Sequence, residues 1–81
     1  MEFDKTLISI KEYGRVSFHL KEIMDARDIK RNAMARAINT RFEVVDRWYR
    51  GEVEKIDVDV LARLCCVLKC QPSDLITYEE T

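Results

Sequence analysis

Residues 31–51, RNAMARAINTRFEVVDRWYRG, contain two short amphipathic segments separated by a break. Met34, Ala35 and Ile38 share one side of the first, and Val45, Trp48 and Tyr49 recur at i, i+3 and i+4 in the second. The break falls at Asn39, one of the few non-glycine residues that tolerate a positive φ. Two helices meeting within three or four residues need a small side chain where they cross, and Ala35 supplies it. A larger residue there is expected to cost ~1 to 3 kcal/mol in overpacking. Val45 is expected to fill the wedge between the helices. The spacing predicts helices over residues 31–38 and 41–50, the second closed by Gly51 as a left-handed residue.

On the N-terminal side, residues 1–14 are set apart by Gly14, and Thr6 to Ile10 with Leu7, Ile8 and Ile10 suggests a short strand or arm. Leu20, Ile23, Met24 and Arg27 then predict a first helix from about Ser17, its expected N-cap, to Arg27. On the C-terminal side a polar connection, Glu52 to Ile56, leads to Asp57, which can cap a helix carrying the stripe Leu61, Leu64, Cys65 and Leu68. Pro72 suits the first turn of a short last helix, Pro72 to Ile76, and Tyr78 to Thr81 is expected to fray. The fold class is therefore all-α: five helices over residues 15–78, preceded by an N-terminal strand or arm over residues 1–14.

The chain has 81 residues, 47% hydrophobic and 36% charged, enough for one small core. Disorder and most enzyme scaffolds are excluded. No apolar run approaches the ~18 residues of a membrane span, and the acidic start is unlike a signal peptide, so a cytoplasmic location is expected. Cys65, Cys66 and Cys70 are too close together, and odd in number, for a disulfide framework, and reduced, buried thiols are expected. The total charge of −1 conceals an asymmetry. Residues 30–50 hold six basic side chains (Lys30, Arg31, Arg36, Arg41, Arg47, Arg50) against Glu43 and Asp46, a local +4 that leaves −5 for the remainder. Such a distribution would turn the central segment toward a polyanion.

Met34-Ala35, Asn39, Val45 and the Arg50-Gly51 end resemble the Cro and phage-repressor type of helix-turn-helix domain, the xenobiotic response element family. Leu61 to Ile76 is similar to that family's fourth and fifth helices, so the resemblance spans about Val16 to Tyr78. It implies a five-helix repressor-like fold and a bacterial or phage transcriptional regulator that binds operator DNA, often as a dimer. Three positions depart from the family's habit: Arg31, Asn39 and Arg41 stand where Gln, Gly and a capping Ser are common. Arg cannot accept a capping hydrogen bond, so Thr40 is expected to take over, and Thr40-Arg-Phe-Glu43 fits the S/T-x-x-E capping box.

The residues of the second motif helix left over after packing, Arg41, Phe42, Glu43, Asp46 and Arg47, are the candidates for base readout. Arginine can bond guanine bidentately, Phe can meet a thymine methyl, and a carboxylate can accept from cytosine. Arg31, Asn32, Arg50 and Lys55 are the candidates for phosphate. The plainer readings are that Glu43 caps the helix, and that Glu43 with Arg47 and Asp46 with Arg50 are i,i+4 ion pairs on an exposed helix. Met34, Ala35, Asn39, Val45 and Trp48 are read as motif packing, as is Tyr49. Cys66 and Cys70 with the single His19, expected on the surface of the first helix, are too few for a metal site. No catalytic residue, cofactor or small-molecule substrate is expected.

These features together predict a sequence-specific regulator, a repressor, that reads an operator half-site of double-stranded DNA in the major groove. One reading helix covers few base pairs, so a homodimer is expected, paired through the arm around Leu7 to Ile10 or through apolar residues near the C-terminus. The alternative is a protein-interaction module, such as an antitoxin or antirepressor subunit, that retains the fold.

Overall fold

The computed structural model describes residues 13–80. In chain order its elements are β1 (Arg15–Phe18), α1 (Leu20–Ala26), α2 (Arg31–Ala37), α3 (Phe42–Arg50), α4 (Val58–Leu68), α5 (Pro72–Leu75) and β2 (Ile76–Glu79). Five helices thus enclose the core, and a two-stranded antiparallel sheet joins the beginning of the domain to its end. No helix among the described residues is long and apolar enough to cross a membrane.

The first helix starts later than its sequence pattern suggests. Ser17 lies in β1, paired with Thr77, and does not cap α1. Neither a β1 nor a β2 residue has its partner nearby in the chain, because Phe18 pairs with Ile76 and Val16 with Tyr78. Helical periodicity is read over a few residues, so it cannot register such pairing. For the same reason the last helix stops at Leu75, and Tyr78 belongs to a strand rather than to a frayed end. The expected strand around Leu7 to Ile10 lies outside the described residues. At Gly14 a Cβ atom would come within 1.9 Å of the Glu79 carbonyl oxygen, so glycine allows the two ends to approach.

One cluster forms the core: Leu20 and Met24 from α1, Met34 and Ala35 from α2 with the adjoining Ile38, Val45 and Trp48 from α3, Val60, Leu64 and Leu68 from α4, and Leu75 from α5. The stripe of α4 is rotated slightly from its expected centre. Val60, Leu64 and Leu68 are buried at i, i+4 and i+8, while Leu61 and Cys65 are half-buried at its edge. Asp57 caps this helix, accepting from the backbone N–H groups of Asp59 at 2.9 Å and Val60 at 3.3 Å. Cys66 is exposed, contrary to the expectation of buried thiols, because it lies on the side of α4 away from the core. Burial pushes the Cys70 thiol pKa up, which favours its protonated form.

Four helices close in the same way. Asp28, Asn39, Gly51 and Lys69 each adopt a positive φ after α1, α2, α3 and α4. The residue after each donates back to a carbonyl five positions earlier: Ile29 to Met24, Thr40 to Ala35, Glu52 to Arg47 and Cys70 to Cys65. This is the Schellman closure, which satisfies carbonyls that a helix end otherwise leaves unpaired. Only Gly51 enters the left-handed region without a Cβ penalty.

Lys69 (φ 52°) is exposed and follows a helix already capped at its other end. Lys69→Gly should therefore stabilise the domain by about 0.5 to 1 kcal/mol, the relief of left-handed strain exceeding the added chain entropy. An increased urea midpoint with unchanged slope is the expected result.

Candidate nucleic-acid interface

The unit formed by α2 and α3 is built around a buried seam. Ala35 and Val45 are 5% and 0% exposed, and Met34, Ile38 and Trp48 surround them. Asn39 reverses the chain with φ 55°. Arg63, from α4, donates to the carbonyl oxygens of Ile38 at 2.9 Å and Asn39 at 3.1 Å, and pairs with Asp59 at 2.8 Å. A cation thus rests against the carbonyl end of α2 and holds the turn from below. Its place among the leucines of α4 carries no local sequence signal, because its targets are carbonyls more than twenty residues away.

The start of α3 differs from the capping-box expectation. Arg41 occupies the N-cap position with an extended backbone (ψ 153°), and no side chain caps the helix. Thr40 lies one residue before the N-cap, and its N–H closes α2 on Ala35 at 2.9 Å instead of donating to Glu43. Glu43 consequently remains exposed in the first turn of α3, where the helix dipole favours a carboxylate.

Seen from the core, α3 turns Val45 and Trp48 inward and Arg41, Phe42, Glu43, Arg47 and Arg50 outward. Among the described residues Arg41 and Arg47 form no ion pair. Both line an open groove of about 740 Å³ between α3 and the segment that follows it, together with Trp48, Lys55 and the acidic Glu52, Glu54 and Asp57. Asp46 is only 22% exposed, and its carboxylate accepts from the Arg31 guanidinium at 2.6 Å and from Arg50 Nε at 3.0 Å. Asn32 is exposed in the first turn of α2, beside Arg31. The structure therefore brings Arg31, Asp46 and Arg50 together and leaves Arg41, Phe42, Glu43 and Arg47 as an exposed strip.

Aromatic rings flank the Arg31 guanidinium. The Arg31 guanidinium lies 4.9 Å from the Tyr49 ring centre and 5.7 Å from that of Phe42. Tyr49 donates its hydroxyl to Asp25 at 2.8 Å, and Lys21 Nζ reaches the same carboxylate at 2.7 Å. On the other side Trp48 meets Phe18 edge to face, with ring centres 5.3 Å apart at 89°. His19 is not a surface residue of α1. It sits at the N-cap position, with Nδ1 3.1 Å from Glu22 and Nε2 2.7 Å from the Thr77 hydroxyl.

A buried seam, a tight turn and a second helix that turns arginines to solvent define the helix-turn-helix DNA-binding class. Residues 19–81, well over half of the chain, match the model of the Cro/C1-type HTH DNA-binding domain, and the chain belongs to that family. Its fold is similar to that of a Bacteroides fragilis protein inferred to bind DNA, with TM-score 0.67, 16% identity, and 78% of this chain and 100% of that chain covered. It is also similar to the transcriptional regulator VanUg, with TM-score 0.67, 22% identity, and 86% and 92% covered. At such identities the likeness is one of fold. None of the curated proteins compared matches the chain.

The hydrogen bond from Lys21, with that from Tyr49, holds the Asp25 carboxyl below its ordinary pKa, and the His19 hydrogen bond does the same for Glu22. A depressed carboxylate stabilises the fold fully above its unfolded pKa of about 4, and that contribution is lost as pH falls through the folded value. Thermal melts should show Tm declining below about pH 4, with a shallower decline in Asp25→Asn. An identical acid profile for the variant would show that Asp25 contributes nothing.

Proposed function

We propose that this chain is a sequence-specific transcriptional regulator, a repressor, that reads an operator half-site in the major groove with α3. The observation that carries the reading is the strip Arg41, Phe42, Glu43 and Arg47, exposed on a helix whose opposite side is anchored by Val45 and Trp48. Arg41 and Arg47 offer forks for guanine, Phe42 an apolar contact for a thymine methyl, and Glu43 an acceptor for cytosine. Arg31, Asn32, Arg50 and Lys55 flank the strip and serve phosphate, with Arg31 and Asn32 at the start of α2 and Lys55 beyond α3. The local +4 of residues 30–50 supplies the attraction that the total of −1 denies. The reading fits the likeness in fold to the transcriptional regulator VanUg.

One α3 spans too few base pairs for useful selectivity, so two copies bind half-sites about one helical turn, ~34 Å, apart. In this scheme residues 15–78 are the DNA-binding domain. Selection of bound sites from a random duplex library tests the pairing and the spacing, since a symmetric motif with half-sites about one turn apart is expected.

Binding to random duplex DNA across a salt series should give log K falling steeply with log salt. A flat response, or no binding at low salt, would overturn the reading. With a selected site, Arg47→Ala should relax preference at one base position by ~1 to 3 kcal/mol, whereas Arg31→Ala should weaken all sequences alike. Uniform loss in both variants would remove Arg47 from base readout.

A further inference from the structure

We infer that Asp46 is a positioning residue: its carboxylate sets Arg31 and Arg50 as a single preformed fork for the DNA backbone. The inference rests on the DNA-binding reading above, and it moves Asp46 from the base edges to the support behind the phosphate contacts.

The geometry has three parts. First, one carboxylate serves two helices. Oδ1 takes the Arg31 guanidinium at 2.6 Å from the beginning of α2, and Oδ2 takes Arg50 Nε at 3.0 Å from the end of α3. Secondly, the carboxylate is the innermost of the three groups, its side chain 22% exposed against 39% for Arg31 and 57% for Arg50. The charge that faces solvent is therefore mainly positive. Thirdly, Arg31 is confined on its other sides by the rings of Tyr49 and Phe42, and Tyr49 is itself held by Asp25.

An unconstrained arginine loses rotamer freedom when it settles on a phosphate, and fixing it beforehand removes that cost from the binding step. Each guanidinium spends a donor on Asp46 and keeps further N–H groups for phosphate oxygens. Two cations around one anion retain a net positive charge, so attraction to the backbone survives. With both its oxygens engaged, Asp46 is poorly placed to accept from cytosine. A free carboxylate at this position would repel the backbone, whereas here it orders the groups that attract it.

The alternative is that Asp46 merely subtracts charge from the surface, and the two ideas predict opposite signs. Asp46→Asn makes the domain one unit more positive, which by simple attraction should tighten binding. If Asp46 positions the fork, the variant should bind random duplex about three- to tenfold more weakly at low salt, with a salt slope shallower by roughly one. In an Arg31→Ala, Arg50→Ala background the same change should no longer weaken binding. Binding by Asp46→Asn as tight as wild type or tighter, with the slope unchanged, would overturn the inference.

Arg31→Lys covers the case in which Asp46→Asn does not fold. It keeps the charge but loses the planar fork, and should lose a similar factor. Wild-type affinity in Arg31→Lys would count against the fork. A readout without DNA separates this inference from the functional reading on which it rests. The guanidinium N–H signals of Arg31 and Arg50 should exchange slowly in the free protein and rapidly in Asp46→Asn. Fast exchange in the wild type would sink the clamp even if the domain binds DNA, and ordered signals without salt-dependent duplex binding would sink the functional reading instead.

Discussion

The left-handed turn at Asn39 is the constraint on which the rest of the molecule depends. With φ at 55° it lets Thr40 bond back to Ala35, ending α2 and releasing the chain into α3 after only a few residues. That short connection requires close crossing, which is why a small residue, Ala35, and a compact branched one, Val45, share the seam. Once the crossing is set, Val45 and Trp48 determine which side of α3 is inward, and the exposed strip follows from helix geometry alone. Arg63 secures the arrangement by occupying the carbonyls of Ile38 and Asn39. The outward direction of Arg47 thus has its cause in a backbone angle eight residues earlier in the chain.

Charge is arranged with similar economy. The basic excess of residues 30–50 could be spread as mobile side chains on a solvated surface, each dearly fixed when a partner arrives. Instead Asp46 and two aromatic rings restrain Arg31, while Arg41 and Arg47 form no ion pair among the described residues. The surface combines restrained cations at its margins with unengaged ones at its centre. Such a division suits a polyanion whose backbone is uniform and whose informative groups lie between two lines of phosphate.

The helical core and the α2–α3 unit were legible in the sequence because both rest on local rules. Met34, Ala35, Val45 and Trp48 repeat at helical spacing, Asp57 and Gly51 mark boundaries through their own chemistry, and all are found at those tasks. What escaped the sequence depends on distant partners. Ser17 and Phe18 read as the cap and first residue of a helix, but they pair with Thr77 and Ile76. Thr40-x-x-Glu43 has the form of a capping box, yet α3 starts one residue later and the Thr40 N–H that Glu43 would accept from closes the helix before it. A pattern of four residues cannot tell which neighbouring helix will claim its first member. In the candidate site the exposed strip was visible from periodicity, whereas the convergence of Arg31 and Arg50 on Asp46 was only half visible. Asp46 with Arg50 is a same-helix pair, but Asp46 with Arg31 exists only because α2 and α3 cross where they do.

The small sheet explains how so short a domain keeps α3 steady. β1 and β2 join the first and last described elements, and Gly14 permits the close approach at their outer end. Their inner end is Phe18 opposite Ile76, and Phe18 places its ring edge to face with Trp48 of α3. His19 adds a second link by bridging Glu22 of α1 to Thr77 of β2. The sheet therefore bears on the inward side of α3 while Asp46 and its arginines lie toward the outward side. A domain that buries only roughly 60% of its unfolded surface has little core to spare. Tying the described ends together beneath α3 puts long-range contacts where they resist a tilt of that helix, the one that turns Phe42, Glu43 and Arg47 outward.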